Sequence, residues 1–153
     1  MKKYRTRVLF ALACTLMAAS ASWAVVIAIS NTAGMEFGKF VAGSGGTVTV
    51  SPGGVRSASG SVVLVSSGAG AAAQLVVSGD ANLTYAISLP AAGTLVNGAN
   101  TMAVNTFTSS PSPTGTLGAG GRQTLSVGAT LNVGSNQATG SYSGAFDVTV
   151  NYN

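Results

Sequence analysis

The sequence predicts an all-β protein, and three observations lead to that class. Runs with the helical period are absent after the N-terminal leader, and short runs that alternate apolar and polar residues recur instead. Gly, Ser, Thr, Val and Asn dominate the composition, with 21 glycines in 153 residues. Alternation with a period of two places one face of a strand on a core and the other face in water. We therefore expect a series of strands joined by turns.

The alternating segments follow one another between turn residues. The first covers residues 35–41, with an interruption at Gly38. The later ones span residues 47–50, 61–65, 74–77, 83–89, 101–107, 125–133 and 146–152. Asn97-Gly98 is a hairpin-turn dipeptide, and residues 109–121, rich in Ser, Pro, Thr and Gly, are predicted to form a surface loop. Strand-and-turn units of about 8–12 residues are typical of an immunoglobulin-like β-sandwich.

The N-terminus has the three parts of a secretory signal peptide. Basic residues come first, an apolar stretch follows at residues 8–19, and residues 20–24 form the region that precedes cleavage. The apolar stretch is too short to span a bilayer as a stable anchor. We predict a signal peptide over residues 1–21, cleaved after Ala21 or alternatively after Ala24, and hence an exported protein.

Removal of this leader changes the charge of the protein. The formal net charge of the whole chain is +4, and it comes from Lys2, Lys3, Arg5 and Arg7. The charged residues that follow the leader balance one another: Lys39, Arg56 and Arg122 against Glu36, Asp80 and Asp147. A neutral mature chain has no excess of basic residues to attract nucleic acid or an anionic membrane. We therefore expect no nucleic-acid partner.

The mature sequence offers little chemistry for catalysis. The chain has no histidine, so a Ser-His-Asp triad cannot form, and Cys14, the only cysteine, leaves with the leader. Nothing in the sequence brings two carboxylates together for glycosidase chemistry. Gly79-Asp80-Ala81-Asn82 is the one candidate for calcium, and we interpret it as a turn in which Asp and Asn bond to their own backbone. The sequence thus predicts no enzyme activity, no metal site and no cofactor.

The last predicted strand carries the most informative pattern. Its apolar residues Phe146, Val148, Val150 and Tyr152 alternate with polar ones, and the sequence ends at Asn153. We expect this strand to have nothing after it that covers its edge. An uncovered strand edge accepts another strand through main-chain hydrogen bonds.

A second alternating segment follows the leader. With the earlier cleavage site, Trp23, Val25, Ile27 and Ile29 form one large apolar face, and residues 31–34 follow as a flexible linker. One interpretation is that this segment is the first strand of its own domain. The other is that it completes the open C-terminal edge of a neighbouring copy, in head-to-tail contacts that build a filament.

Two sets of residues point to a known class. The spacing of Gly140 and Tyr152, with the alternation between them, resembles the C-terminal motif of chaperone–usher pilin subunits. Residues 35–38, 45–56 and 140–153 also resemble a bacterial family of secreted, pilin-like domains of unknown function.

The resemblance implies an incomplete immunoglobulin-like fold, whose missing strand a neighbouring subunit supplies by donor-strand exchange. It implies three partners, namely other copies of the chain, a periplasmic chaperone and an outer-membrane usher, and transit through the periplasm to a cell-surface fimbrium. The donor strand would present Trp23, Val25, Ile27 and Ile29. The acceptor groove and chaperone-binding strand would contain Gly140, Phe146, Val148, Val150 and Tyr152.

We therefore predict a structural subunit of a surface fimbria that serves adhesion or biofilm formation. The predicted parts are the leader, a donor strand with its linker over residues 22–34, and an immunoglobulin-like pilin domain over residues 35–153. Two alternatives stay open on the sequence alone. One is a secreted carbohydrate- or receptor-binding β-sandwich module. The other is a small outer-membrane β-barrel, whose strands of about 9–11 residues are longer than most runs here.

Overall fold

A computed structural model describes residues 26–153 of the chain. The predicted leader, Trp23 and Val25 lie outside these residues. The described part is all-β, as the sequence predicts, with twelve strands and no helix; no helical segment able to cross a membrane occurs in it. The strands are β1 (Ala28–Ala33), β2 (Phe40–Val41), β3 (Gly46–Val50), β4 (Arg56–Gly60), β5 (Val63–Leu64), β6 (Ala73–Ser78), β7 (Thr84–Ser88), β8 (Ala92–Asn97), β9 (Asn100–Ser110), β10 (Thr114–Thr116), β11 (Arg122–Val133) and β12 (Thr149–Tyr152).

The largest sheet is organised around β11, which is 12 residues long. One edge of β11 pairs first with β6 and then with β3, while the other edge pairs with β9. The strand order along one path is β1-β6-β11-β3-β4, and the β8–β9 hairpin joins through β9. Because β11 pairs with two successive strands along one edge, the sheet curls instead of staying flat.

Two smaller sheets complete the fold. In one of them β7 lies between β10 and β12, and in the other β2 pairs with β5. These pairings are antiparallel, like those of the largest sheet. The strand β12 therefore lies at a sheet edge and pairs with β7 alone among the described strands.

The core consists of two hydrophobic clusters that meet. The fully buried side chains of the first belong to β3 and β11: Val48, Val50 and Leu131. Those of the second come from β6, β7, β11 and the segment after β10: Val77, Tyr85, Leu117, Leu125 and Val127. Met35 and Phe107 pack against both clusters and join them into one core.

Alternation locates most of the long strands correctly. Residues 47–50, 74–77, 101–107 and 125–133 all lie in strands, and the predicted Asn97-Gly98 turn joins β8 to β9. Successive side chains of a strand point to opposite faces, so the apolar residues of each run lie on the core side. The period of the sequence is thus sufficient to place these elements.

The predicted surface loop at residues 109–121 is wrong in part. β9 extends to Ser110, β10 forms within the stretch, and Leu117 is fully buried. The reason is the pairing of β10 with β7, in which Gly115 stands opposite Tyr85 and lies against its ring. A residue without a side chain lets the backbone approach the buried tyrosine closely. A segment whose composition is typical of loops therefore forms a strand here.

Two further strands, β4 and β8, have no counterpart among the predicted segments. β4 has the sequence RSASG, and four of its five residues are exposed. A strand of small residues with no buried face has no apolar alternation that would reveal it. Its position is set by its neighbour, because each of its residues pairs with β3.

Candidate functional site

A groove with a volume of about 1070 Å³ lies between two largely irregular segments of the chain. The first wall consists of residues 34–43 and the second wall of residues 136–146. Apolar residues from β6, β8, β9 and β11 form the floor between them: Ala73, Leu75, Leu95, Met102, Val104, Phe107 and Leu131. Of these floor residues, Leu75, Leu95 and Phe107 are half-buried, and the others are buried beneath the groove.

The first wall is hydrogen-bonded along one edge. Glu36 and Ala71 exchange two backbone hydrogen bonds of 2.8 and 2.7 Å, and β2 pairs with β5. Within residues 26–153, every backbone partner of residues 35–41 lies in residues 63–71, and none of those partners lines the groove. Residues 35–41 therefore make no backbone hydrogen bond across the groove within the described chain.

The second wall is attached along β8. Ser143 exchanges two backbone hydrogen bonds of 2.8 and 3.1 Å with Val96. The hydroxyl of Tyr142 accepts a hydrogen bond from Gln137 Nε2 at 2.8 Å and donates one to the Ala138 carbonyl at 2.9 Å. These contacts brace the wall from within and from one side.

The two ends of the groove differ. At one end the walls are joined, because the Asn136 N–H donates a hydrogen bond of 3.2 Å to the Gly43 carbonyl. At the other end the groove reaches Asn31 and Phe146, where the first wall follows β1 and the second wall leads to β12. The ring of Phe146 packs against Phe107 there, with centroids 5.2 Å apart and a tilt of 39°.

The groove has an apolar floor between walls that contain polar residues, and its lining carries no excess charge. Glu36 and Lys39 are the charged residues in it, one of each sign, and both are exposed. No group of three or more His, Cys, Asp or Glu residues that could hold a metal occurs within residues 26–153. The groove is thus suited to a neutral, extended, apolar ligand that offers backbone hydrogen bonds.

The predicted acceptor residues lie near this groove in different roles. The side chains of Phe146, Val148, Val150 and Tyr152 all pack against the second core cluster, and the residues between them are exposed. Phe146 lines the groove, whereas Val150 and Tyr152 belong to β12, which pairs with β7. The hydroxyl of Tyr152 also accepts a hydrogen bond of 2.7 Å from the Asp80 N–H. Regular strand begins only at Thr149, later than the alternation suggests.

Gly140 lies in the second wall and lines the groove. Its φ of +143° belongs to the region that favours glycine, and the Asn97 side-chain amide occupies the place where a Cβ would be. Asn97 Nδ2 donates a hydrogen bond of 3.5 Å to the adjacent Thr139 carbonyl. Gly140 therefore lets the β8–β9 turn hold this wall.

In the structure, the described part of the predicted donor segment pairs with a strand of the same chain. β1 pairs antiparallel with β6, from Ala28 opposite Ser78 to Ala33 opposite Gln74. Ile27 and Ile29 pack against the second core cluster, while Val26 is 71% exposed. Asn31 to Ala33, predicted as linker, belong to this strand. The inward and outward sides of the segment agree with its alternation, but its partner strand in this structure is β6.

Several residues of the site could not be identified from patterns in the sequence. Residues 136–145 contain no apolar alternation, and of these only Gly140 stands out by its spacing to Tyr152. Arg56, which binds the first wall from outside through hydrogen bonds to backbone carbonyls, is also missed. No pattern in the sequence marks Arg56, because it is one of six charged residues after the leader and nothing nearby in the sequence shows what it contacts.

The chain matches a family described as a domain of unknown function, DUF4402, over residues 27–152. Because the match covers most of the chain, the protein belongs to this family. No curated protein and no solved structure matches it. The family description carries no activity, so the relation to pilins stays a prediction.

Proposed function

We propose that this protein is a structural subunit of a surface fimbria, assembled by donor-strand exchange with help from a periplasmic chaperone and an outer-membrane usher. In this proposal the fold is an immunoglobulin-like sandwich that lacks one strand, and the groove is where that strand is added. The observation that carries the proposal is the groove itself. It has an apolar floor, and residues 35–41 of its first wall make no backbone hydrogen bond across it within residues 26–153.

These features match the requirements of strand addition. Main-chain hydrogen bonds to a free edge give affinity, and alternate side chains that enter an apolar floor give register. Each apolar side chain that becomes buried contributes about 1.5–3 kcal/mol. Against a typical net stability of about 5–15 kcal/mol, three or four such side chains would make the filled subunit far more stable than the open one.

The proposed donor is the segment with Trp23, Val25, Ile27 and Ile29 from a neighbouring copy. In the described chain its second half lies on β6, at the edge of the largest sheet. Ile27 and Ile29 are only half-buried there. Exchange would replace the hydrogen bonds to β6 by hydrogen bonds to a groove wall of the next subunit, so the number of backbone bonds is about conserved.

Cysteine cross-linking tests this proposal. Because Cys14 is the only cysteine, a mature chain that starts at Ser22 has no native thiol that would compete with designed cysteine pairs. Ala28→Cys combined with Ser141→Cys places one thiol on the donor and one on the second wall. Donor-strand exchange predicts a ladder of disulfide-linked oligomers from this pair on a non-reducing gel.

The matched control is Ala28→Cys combined with Ser78→Cys, which joins residues that face each other across β1 and β6. Cross-strand partners lie about 4.5–5.5 Å apart at Cα, within disulfide range. In assembled material we expect this pair to react poorly. An efficient intramolecular cross-link of the control, with only monomer from the groove pair, would contradict the proposal and favour a self-contained binding module.

A further inference from the structure

We infer that Arg56 is a positioning residue that holds the first wall of the groove away from the second wall. The inference deepens the proposed function and rests on it, because it concerns the site that would accept the donor strand. Arg56 is the first residue of β4 and lies outside the groove lining. Its Nη1 donates hydrogen bonds of 3.1 Å to the carbonyls of Phe37 and Lys39, and Nη2 donates one of 3.0 Å to the Val65 carbonyl.

These three hydrogen bonds connect the middle of the first wall to β4 and to Val65, where few strand-type backbone bonds form. Between Glu36 and β2 the wall has no strand ladder. Within the described chain its backbone bonds there are those of Lys39, whose N–H reaches the Gly68 carbonyl at 3.4 Å and whose carbonyl accepts from the Val65 N–H at 3.0 Å. A charged donor makes stronger hydrogen bonds than a neutral one, and a planar guanidinium binds several acceptors in fixed directions. Arg56 therefore supplies much of the attachment at the middle of the first wall.

Gly38 fits this arrangement. Its φ of +69° lies in the left-handed region, and a side chain there would collide with Arg56 Nη1 and with the Gly68 and Ala69 carbonyls. The wall thus kinks directly over the guanidinium. The Phe37 carbonyl turns to Arg56, while the Phe37 side chain is buried in the first core cluster.

The side of the wall on which Arg56 binds determines its effect on the width of the groove. The two acceptors in the wall, the carbonyls of Phe37 and Lys39, are held toward residues 56–71, none of which lines the groove. Without the guanidinium, the Phe37 carbonyl would lose its partner, and the middle of the wall would keep the two backbone bonds of Lys39, at 3.4 and 3.0 Å. This stretch would then be freer to settle onto the apolar floor. Arg56 thereby preserves the width that an incoming strand needs.

Spin labels on both walls test this role. Lys39→Cys and Ser141→Cys lie on opposite walls at exposed positions, and the distance between labels is measured by double electron–electron resonance in the mature chain. We expect Arg56→Met to shorten or broaden the distance distribution. Arg56→Lys, which keeps the charge but lacks the planar fork, should give an intermediate result. Arg122→Met removes the same charge from an exposed residue of β11 and should leave the distances unchanged.

A second measurement separates this inference from the proposed function. Binding of a synthetic peptide with the sequence of residues 22–30 should weaken about tenfold or more in Arg56→Met and should not change in Arg122→Met. Wild-type distances in both Arg56 variants would overturn the inference. If the distances change but the wild-type chain does not bind the peptide, the role of Arg56 stands and the proposed function fails. If Arg56→Met does not fold, the distances in Arg56→Lys decide.

Discussion

Tyr85 shows how one side chain joins the β10-β7-β12 sheet to the largest sheet. Its ring is fully buried in the second core cluster, and its hydroxyl donates a hydrogen bond of 2.7 Å to Gln123 Oε1. The same Gln123 oxygen accepts a bond of 2.9 Å from the Thr116 N–H. One amide thus connects β7, β10 and β11, and burial raises the pKa of the Tyr85 phenol above its usual 10.0.

This raised pKa predicts a loss of stability in strong alkali. Above about pH 10 the unfolded chain loses the Tyr85 proton while the folded chain keeps it, so the unfolded state binds fewer protons and the free energy of unfolding falls as pH rises. The stabilisation is fully present below that pH. Denaturant titrations of the wild type and Tyr85→Phe between pH 8 and 11 should show a smaller alkaline loss in the variant. Equal slopes for the two proteins would contradict this account.

Gly140 gives a second prediction for a single residue. Gly140→Ala should lower the free energy of unfolding by about 1–3 kcal/mol, because it adds a strained backbone conformation and a collision with Asn97. Gly120→Ala is the matched control, since Gly120 has open space around it and no positive φ; a change within about 0.5 kcal/mol is expected. Adding Asn97→Ala to Gly140→Ala should recover part of the loss. Equal effects at the two glycines, measured by chemical denaturation, would rule out this role for Gly140.

Among the elements, β1 holds the position that matters most for the proposed assembly. It forms one edge of the largest sheet through its pairing with β6, and it lies close to β12, which forms an edge of another sheet. Two side-chain bonds to β6 support it, from Ser30 Oγ to the Val76 carbonyl at 3.4 Å and from Thr32 Oγ1 to the Gln74 carbonyl at 2.9 Å. Edge strands with one partner open at lower cost than central strands, as strand exchange requires.

The alternation of residues 26–29 predicts that a charged substitution lowers the free energy of unfolding at an inward position but not at an outward one. Ile29→Asp places a carboxylate against the second core cluster and should cost about 1–3 kcal/mol of unfolding free energy. Val26→Asp lies at a position that is 71% exposed and should change it by less than about 0.5 kcal/mol. Urea unfolding of the mature chain measures both. If both substitutions cost the same, the assignment of inward and outward sides is incorrect.

For the molecule as a whole, the sequence is sufficient to predict the class of fold but not the location of the candidate site. Val48, Val50, Leu125 and Val127 are buried where their alternation predicts, because a period of two directly reports a half-buried strand. The groove has no such signal. Its walls are about a hundred positions apart in the chain and are rich in glycine and polar residues, so only tertiary packing brings them together.

The partner of each terminal strand is likewise a property of the whole molecule. Periodicity shows which side chains of residues 27–29 face a core, but it does not show whose core that is. The described chain pairs this segment with its own β6, and the proposal pairs it with the groove of the next copy. Both arrangements bury the same apolar face, so the choice between them depends on the free energy of the two complete assemblies.

Electron cryomicroscopy of the purified mature chain tests the central claim most directly, namely that a strand of one copy fills the groove of another. We expect filaments in which residues 22–30 of each subunit run between the first and second walls of its neighbour, with Ile27 and Ile29 on the apolar floor. A chain that stays monomeric even when it is produced together with the chaperone and the usher would contradict the claim. So would filaments in which β1 remains on its own β6 and no strand lies between residues 34–43 and 136–146.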